Sequence, residues 1–152
     1  MPTTVEDVDG LHGLLGHQLQ CSEWFDITQD RVNTFADATD DHQWIHVDVE
    51  RANTESPYGG PIAHGYLTLS LLSAMFLQVL TVGQASMAVN YGLNKVRFPA
   101  PVPVGSKVRL SAELITVEDI AGGIQIVVRA IVHCTAVDKP VCVAEPVFRF
   151  YR

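Results

Sequence analysis

The chain has 152 residues, 47% of them apolar and 18% charged, which suits one domain with a buried core and excludes a disordered segment. A formal charge of −7, with ten Lys and Arg scattered and never in a run, excludes the basic footprint of a nucleic-acid-binding protein. Three cysteines in no CxxC pattern and an acidic N-terminus without an apolar signal core lead us to expect a reduced, cytoplasmic setting.

In chain order, "SEWFDIT" reads as a short strand. Thr28 is a plausible N-cap for a helix over "QDRVNTFADAT", where Val32, Phe35 and Ala36 recur at helical spacing. That helix is expected to fray near Asp40 to His42, and one more helical turn fits Val49 to Asn53. "SPYGGP" is a loop on composition. A long apolar helix should open near Ala63 to Gly65 and end near Val79 to Gly83.

From Ser86 the period changes to two. "SMAVNYGL", "KVRF", "SKVRLSAELITVED", "GIQIVVRAIVHCTAV" and "VCVAEPVFRFYR" read as strands, with hairpin turns at "AGG" and "DKP". The fourth of these is apolar on both faces and belongs mid-sheet or under a partner. Pro146 implies a bulge or an edge, and "FPAPVPVG" is a rigid excursion between strands. The sum is an α+β domain, residues 1–152, with an antiparallel sheet around an almost wholly apolar helix. Cys134 and Cys142 lie in apolar runs and read as small core residues.

From Tyr66 to Val82 no residue is charged, which is near the length of a membrane span. The interspersed Thr68, Ser70, Ser73, Gln78 and Thr81, without flanking Lys or Arg, favour a buried helix and no membrane span.

The chemistry concentrates in "TDDHQWIH", residues 39–46. Asp41 and His46 straddle a helix end, and His64 and Gly65 stand at the mouth of the apolar helix. A carboxylate and an imidazole together can hold a water and share its protons. A helix start offers free N–H groups to a developing oxyanion. Such a set can add water across a double bond conjugated to a carbonyl. Each residue also has a structural reading. Asp41 beside Asp40 fits a solvated helix end, His46 a satisfied loop histidine, His64 a helix cap, and Gly65 a packing position. His42 and His46 form an HxxxH without the following Glu or an obvious third ligand, so no metal is expected and His42 belongs at the surface.

Two segments, "FADATDDHQWIHVDVERA" and "GGPIAHGYLTLSLLS", resemble the signature of the MaoC-like (R)-specific enoyl-CoA hydratases, also called hydratase 2. Phe35, Ala36, Thr39, Asp41, His46 and Asp48 match its first part. Ile62, His64, Gly65, Leu67, Ser70, Leu71 and Ser73 match its second. "NYGLNKVRFPAPVPVG" is similar to a stretch of mycobacterial single-domain members. The resemblance implies a hot-dog fold and the reversible hydration of a trans-2-enoyl-CoA, or an acyl-carrier-protein thioester, with no redox or metal cofactor. It implies that Asp41 and His46 activate the water, that the N–H of Gly65 binds the thioester oxygen, that Ser73 supports the pair, and that Asp48 is structural. Gln43-Trp44 replaces the family's usual Asn-Pro, leaving the Gln43 amide to support the loop. Lys95 and Arg97 alternate with Val96 and Phe98 on a strand and either form a wet face or meet coenzyme A phosphates. Trp44, Tyr58 and Tyr66 either line an acyl tunnel or pack in the core.

Two other readings compete. A thioesterase on the same fold commonly places a carboxylate on or near the central helix, and residues 65–94 contain none. A non-catalytic binder, or the scaffold half of a dehydratase, typically loses the proton-handling residues, and here Asp41 and His46 are both present. Sheet edges and a strand apolar on both faces lead us to expect a homodimer.

Overall fold

The computed structural model describes residues 1–152. A short strand β1 (Thr3–Val5) leads into a 3-10 helix over Val8–Leu14, and β2 is only Phe25–Asp26. Three helices follow: α1 (Gln29–Thr39), α2 (Trp44–Val47) and α3 (Val49–Glu55). The apolar helix comes as α4 (Gly65–Ser70) and α5 (Leu72–Val79). The remaining strands are β3 (Leu80–Val82), β4 (Met87–Arg97), β5 (Lys107–Ile120), β6 (Gly123–Cys134) and β7 (Val137–Tyr151).

The main sheet is antiparallel and five-stranded, in the order β2-β5-β6-β7-β4. The doubly apolar strand β6 takes the central place its sequence asks for. β1 and β3 form a separate parallel pair. Leu67, Leu72, Met75, Phe76 and Val79 from the helix share one core with the inner residues of β5, β6 and β7. Each such side chain, fully buried, contributes about 1.5–3 kcal/mol.

Several boundaries follow from local chemistry. The Thr28 hydroxyl accepts from the Arg31 N–H at 3.1 Å and caps α1, the helix the spacing predicts. Asp40 ends it with φ of 58°, in the left-handed region that aspartate tolerates better than most residues. Asp48 caps α3 by accepting from the Arg51 N–H at 3.1 Å. Pro146 lies opposite Leu93, where the register of β4 against β7 slips, as a proline without an N–H requires.

Four expectations change. The long helix is interrupted at Leu71, although Leu71 keeps right-handed helical angles and the Met75 N–H still donates to its carbonyl. It is not buried on nearly every side: Tyr66, Ser70, Ala74, Leu77 and Gln78 are exposed, because a single sheet covers only one face. "SMAVNYGL" and "KVRF" are one irregular strand, β4. The last hairpin turns at Thr135-Ala136, not at "DKP": Cys134 already pairs with Val137, and Asp138 to Pro140 lie within β7.

Cys134 and Cys142 are buried and Cys21 is exposed, none of them in a disulfide. Burial pushes the Cys142 thiol up to about 11, which keeps it an inert core residue. No helix is long and apolar enough to cross a membrane.

Candidate active site

The site sits where α2 and the entry to α4 are clasped together. The Ile62 N–H donates to the Ile45 carbonyl at 3.0 Å, and His46 Nδ1 returns a bond to the Ile62 carbonyl at 2.6 Å. Gln29 on α1 donates through Nε2 to the His46 carbonyl at 2.8 Å. From the other side, the proline-rich excursion accepts the Ala63 N–H on the Val102 carbonyl at 2.8 Å and donates from Val104 to Pro61. Three separate stretches of chain therefore fix the backbone on which His46, His64 and Gly65 stand.

Because a carbonyl only accepts, His46 carries its hydrogen on Nδ1 when neutral, and the Nε2 lone pair is free. Burial holds the His46 pKa below the usual histidine value. The neighbouring His64 acts in the same direction, against the Ile62 carbonyl and Asp41, so the neutral base is favoured.

His64 is 3% exposed, stacked on His46 at 3.8 Å between ring centroids and tilted against Phe35 at 4.9 Å. Its Nε2 donates to the Asp41 carbonyl at 2.9 Å and stands 4.0 Å from the Asp41 carboxylate. The left-handed turn at Asp40 is what swings Asp41 back toward it. One Asp41 carboxylate oxygen and one nitrogen from each ring all lie within 4.8 Å of one another. Two hydrogen bonds of about 2.8 Å through one water span such a gap.

The same triad has the composition of a metal-ligand set. Stacked rings aim their nitrogen lone pairs side by side rather than at a common point, and the His64 Nε2 hydrogen is committed to the Asp41 carbonyl. The arrangement suits proton handling better than metal ligation.

Gly65 opens α4, and the carbonyl four residues earlier, that of Pro61, accepts from Val104 instead. The Gly65 N–H therefore has no helical partner. It shares with His46, Tyr58, Thr68, Phe98 and Val141 the lining of a cleft of about 480 Å³. A Cβ on Gly65 would stand 3.2 Å from the Phe98 ring, a contact tight enough that the ring would have to give by a few tenths of an ångström.

The other residues singled out by sequence fall elsewhere. Ser73 donates to the Asn90 side chain at 3.3 Å, in the groove between α5 and β4, and not to Asp41 or His46. The expected support of Asp41 and His46 by Ser73 therefore has no hydrogen bond behind it in this chain. Gln43 precedes α2 without a side-chain cap, and its N–H lies 3.4 Å from the Asp41 carboxylate. Trp44 lies beneath the Arg51 guanidinium, and Tyr66 packs edge-on to Phe98, so of the three aromatics only Tyr58 lines the cleft. His42 is at the surface, bonded to Asp37 at 2.8 Å. Lys95 and Arg97 are exposed on β4, just before Phe98. Phe98 itself was not signalled, because an aromatic at a strand end reads as core until its ring is placed over Gly65.

Residues 12–136 match the model of the MaoC like domain. The chain belongs to the MaoC-like family. It is 51% identical over 148 residues to 3-hydroxyacyl-thioester dehydratase Z of Mycobacterium tuberculosis, covering 97% of each chain. Among solved structures it is similar to an R-hydratase from Pseudomonas aeruginosa, with a TM-score of 0.73, 24% identity, and coverage of 91% of this chain and 82% of that one. It is also similar to an (R)-hydratase from A. caviae involved in PHA biosynthesis, with a TM-score of 0.71, 21% identity, and coverage of 88% and 94%. At these identities the structural likeness establishes the fold, which is the hot-dog arrangement that the MaoC-like resemblance implies.

Proposed function

We propose that this MaoC-like chain is an (R)-specific enoyl-thioester hydratase and, in reverse, a 3-hydroxyacyl-thioester dehydratase, a hydro-lyase. The observation that carries the reading is the Asp41 carboxylate within 4.8 Å of the paired histidines, with His46 sharing its cleft with the unpaired amide of Gly65. The mycobacterial relative's name, a 3-hydroxyacyl-thioester dehydratase, supports it.

In this reading a water lies between the Asp41 carboxylate and His46 Nε2. As its oxygen bonds to C3 of the enoyl thioester, its proton passes to the pair, and the C2–C3 π electrons move toward the thioester oxygen. The Gly65 N–H stabilises that enolate. C2 then takes back a proton from the pair, so the product is the (R)-3-hydroxyacyl thioester and the enzyme is unchanged. Run backwards, the same steps expel water. Lys95 and Arg97, on the strand leading into Phe98, supply cations for the phosphates of coenzyme A. The test adds the purified chain to trans-2-enoyl-CoAs and follows the conjugated-thioester absorbance, with Asp41→Asn and His46→Gln alongside. Each variant is expected to lose about 100-fold or more in turnover. Unchanged rates in both would refute the assignment, and release of free thiol would mark a thioesterase.

The same reading includes a homodimer built on the uncovered helix face. β4 is an edge strand of 11 residues, and Tyr66, Leu77, Met87 and Leu93 are exposed beside it. Between α5 and β4 run two grooves of about 390 and 470 Å³, lined mostly by apolar residues. Apolar surface of this extent next to an unpaired strand edge is what a second copy covers. The free thiols are the support for a reducing, cytoplasmic location.

A further inference from the structure

Thr68 stands out among the hydroxyls of the helices. Ser70 returns its hydroxyl to the Tyr66 carbonyl at 2.7 Å, and Thr39 returns its own to Phe35 at 2.7 Å, as side chains of this kind do within helices. Thr68 is 1% exposed and its Oγ1 has no hydrogen-bond partner. The carbonyl one turn back, on His64, already accepts from both Leu67 and Thr68 N–H groups. His64 Nδ1, one turn back, is also buried without a partner. It is an acceptor, since Nε2 holds the hydrogen, yet the two atoms do not bond each other.

A buried hydroxyl without a partner destabilises the fold, so one that persists calls for an explanation. The place of Thr68 supplies it. It lines the same cleft as His46 and Gly65, three residues beyond the glycine. Helical side chains lean toward the N-terminus and lie over the preceding turn, which carries the Thr68 side chain toward the turn that Gly65 opens.

We propose that the Thr68 hydroxyl is a second donor to the thioester oxygen of the substrate, acting beside the Gly65 N–H. This assignment rests on the hydratase reading. A χ1 rotation exchanges the methyl and hydroxyl groups on Cβ without moving the helix, and so brings the donor to the cleft surface when substrate enters. With two donors, charge arriving on the oxygen is stabilised more than the neutral carbonyl is, so the contribution falls on turnover rather than on binding.

The test compares the full chain with Thr68→Val, which is nearly isosteric, and Thr68→Ser, which keeps the hydroxyl. Turnover is measured on trans-2-butenoyl-CoA and trans-2-octenoyl-CoA, with thermal melting in parallel. Thr68→Val should melt at the wild-type temperature or above, lose about 100-fold in kcat, and keep KM within about 3-fold. Thr68→Ser should retain most of the turnover. A second readout needs no catalysis: the carbonyl stretch of bound butanoyl-CoA, carrying a 13C label at the carbonyl, should lie at higher frequency in Thr68→Val than in wild type. Wild-type kcat and an unshifted stretch in Thr68→Val would overturn the assignment. So would equal losses in both variants accompanied by lower melting temperatures, which would make Thr68 a packing residue. An active wild type with an unaffected Thr68→Val defeats this inference alone, whereas a wild type without hydration activity defeats the hydratase reading itself.

Discussion

The His64 ring lies face to face with that of His46, with centroids 3.8 Å apart and planes 23° from parallel, while its Nε2 holds the Asp41 carbonyl at 2.9 Å. One buried imidazole thus positions both Asp41 and His46, the pair proposed to activate water: one through its edge, the other through its ring face.

Replacing His64 with Phe keeps a ring to stack but removes the bond to Asp41. Turnover should fall about 10-fold from misplacement of the carboxylate. The pH profile gives the sharper readout. His46 is faced by His64, Asp41 and the Ile62 carbonyl, and of these only His64 disfavours its protonation. Without it, the acid limb of kcat/KM should move to higher pH. An unmoved limb would mean that His64 acts by packing alone.

In the unaltered protein that acid limb should lie below the ordinary histidine value of 6.5, because burial holds the His46 pKa down. The stability consequence has the same sign. Below pH 6.5 the unfolded chain takes up protons that folded His46 refuses, so unfolding is favoured as pH falls. His133, lowered by burial and by Arg109, adds to this, while exposed His42, raised chiefly by its bond to Asp37, opposes it. Urea melts from pH 7.5 to 5 should show stability declining on acidification, with a shallower decline in His46→Gln. Equal slopes in the two proteins would contradict the assignment.

Gly65→Ala puts a methyl 3.2 Å from the Phe98 ring. Either the ring or the helix start must give by a few tenths of an ångström, and either change disturbs the amide proposed to bind the thioester oxygen. Activity should drop at least 10-fold with a stability loss of only about 1 kcal/mol. Gly65→Ala combined with Phe98→Leu should recover part of the activity, measured as kcat/KM on the same thioester. No recovery would show that the methyl harms the site by another route.

Leu77 is 73% exposed on the uncovered helix face. Leu77→Asp should convert a dimer to monomer on size-exclusion chromatography with light scattering, leaving far-UV circular dichroism unchanged. A wild-type chain that elutes as a monomer at micromolar concentration would refute the dimer directly.

Much of this protein was legible from its residues. The period of α1, its Thr28 cap, the central place of β6 and the nearness of Asp41 to His46 follow from interactions within a few residues of chain, or from the alternation of apolar side chains. The MaoC-like identity rests on two short segments whose order and spacing are sequence properties. What only the tertiary structure decided are relations between residues far apart in the chain. His64 serves the site as a stacked ring rather than as a cap. Ser73 bonds to Asn90 on β4. One face of the apolar helix is left uncovered, and the Gly65 amide opens beneath Phe98. Each depends on how separate stretches cross one another, and no local pattern records that, because the energies that set those crossings are summed over the whole packed core.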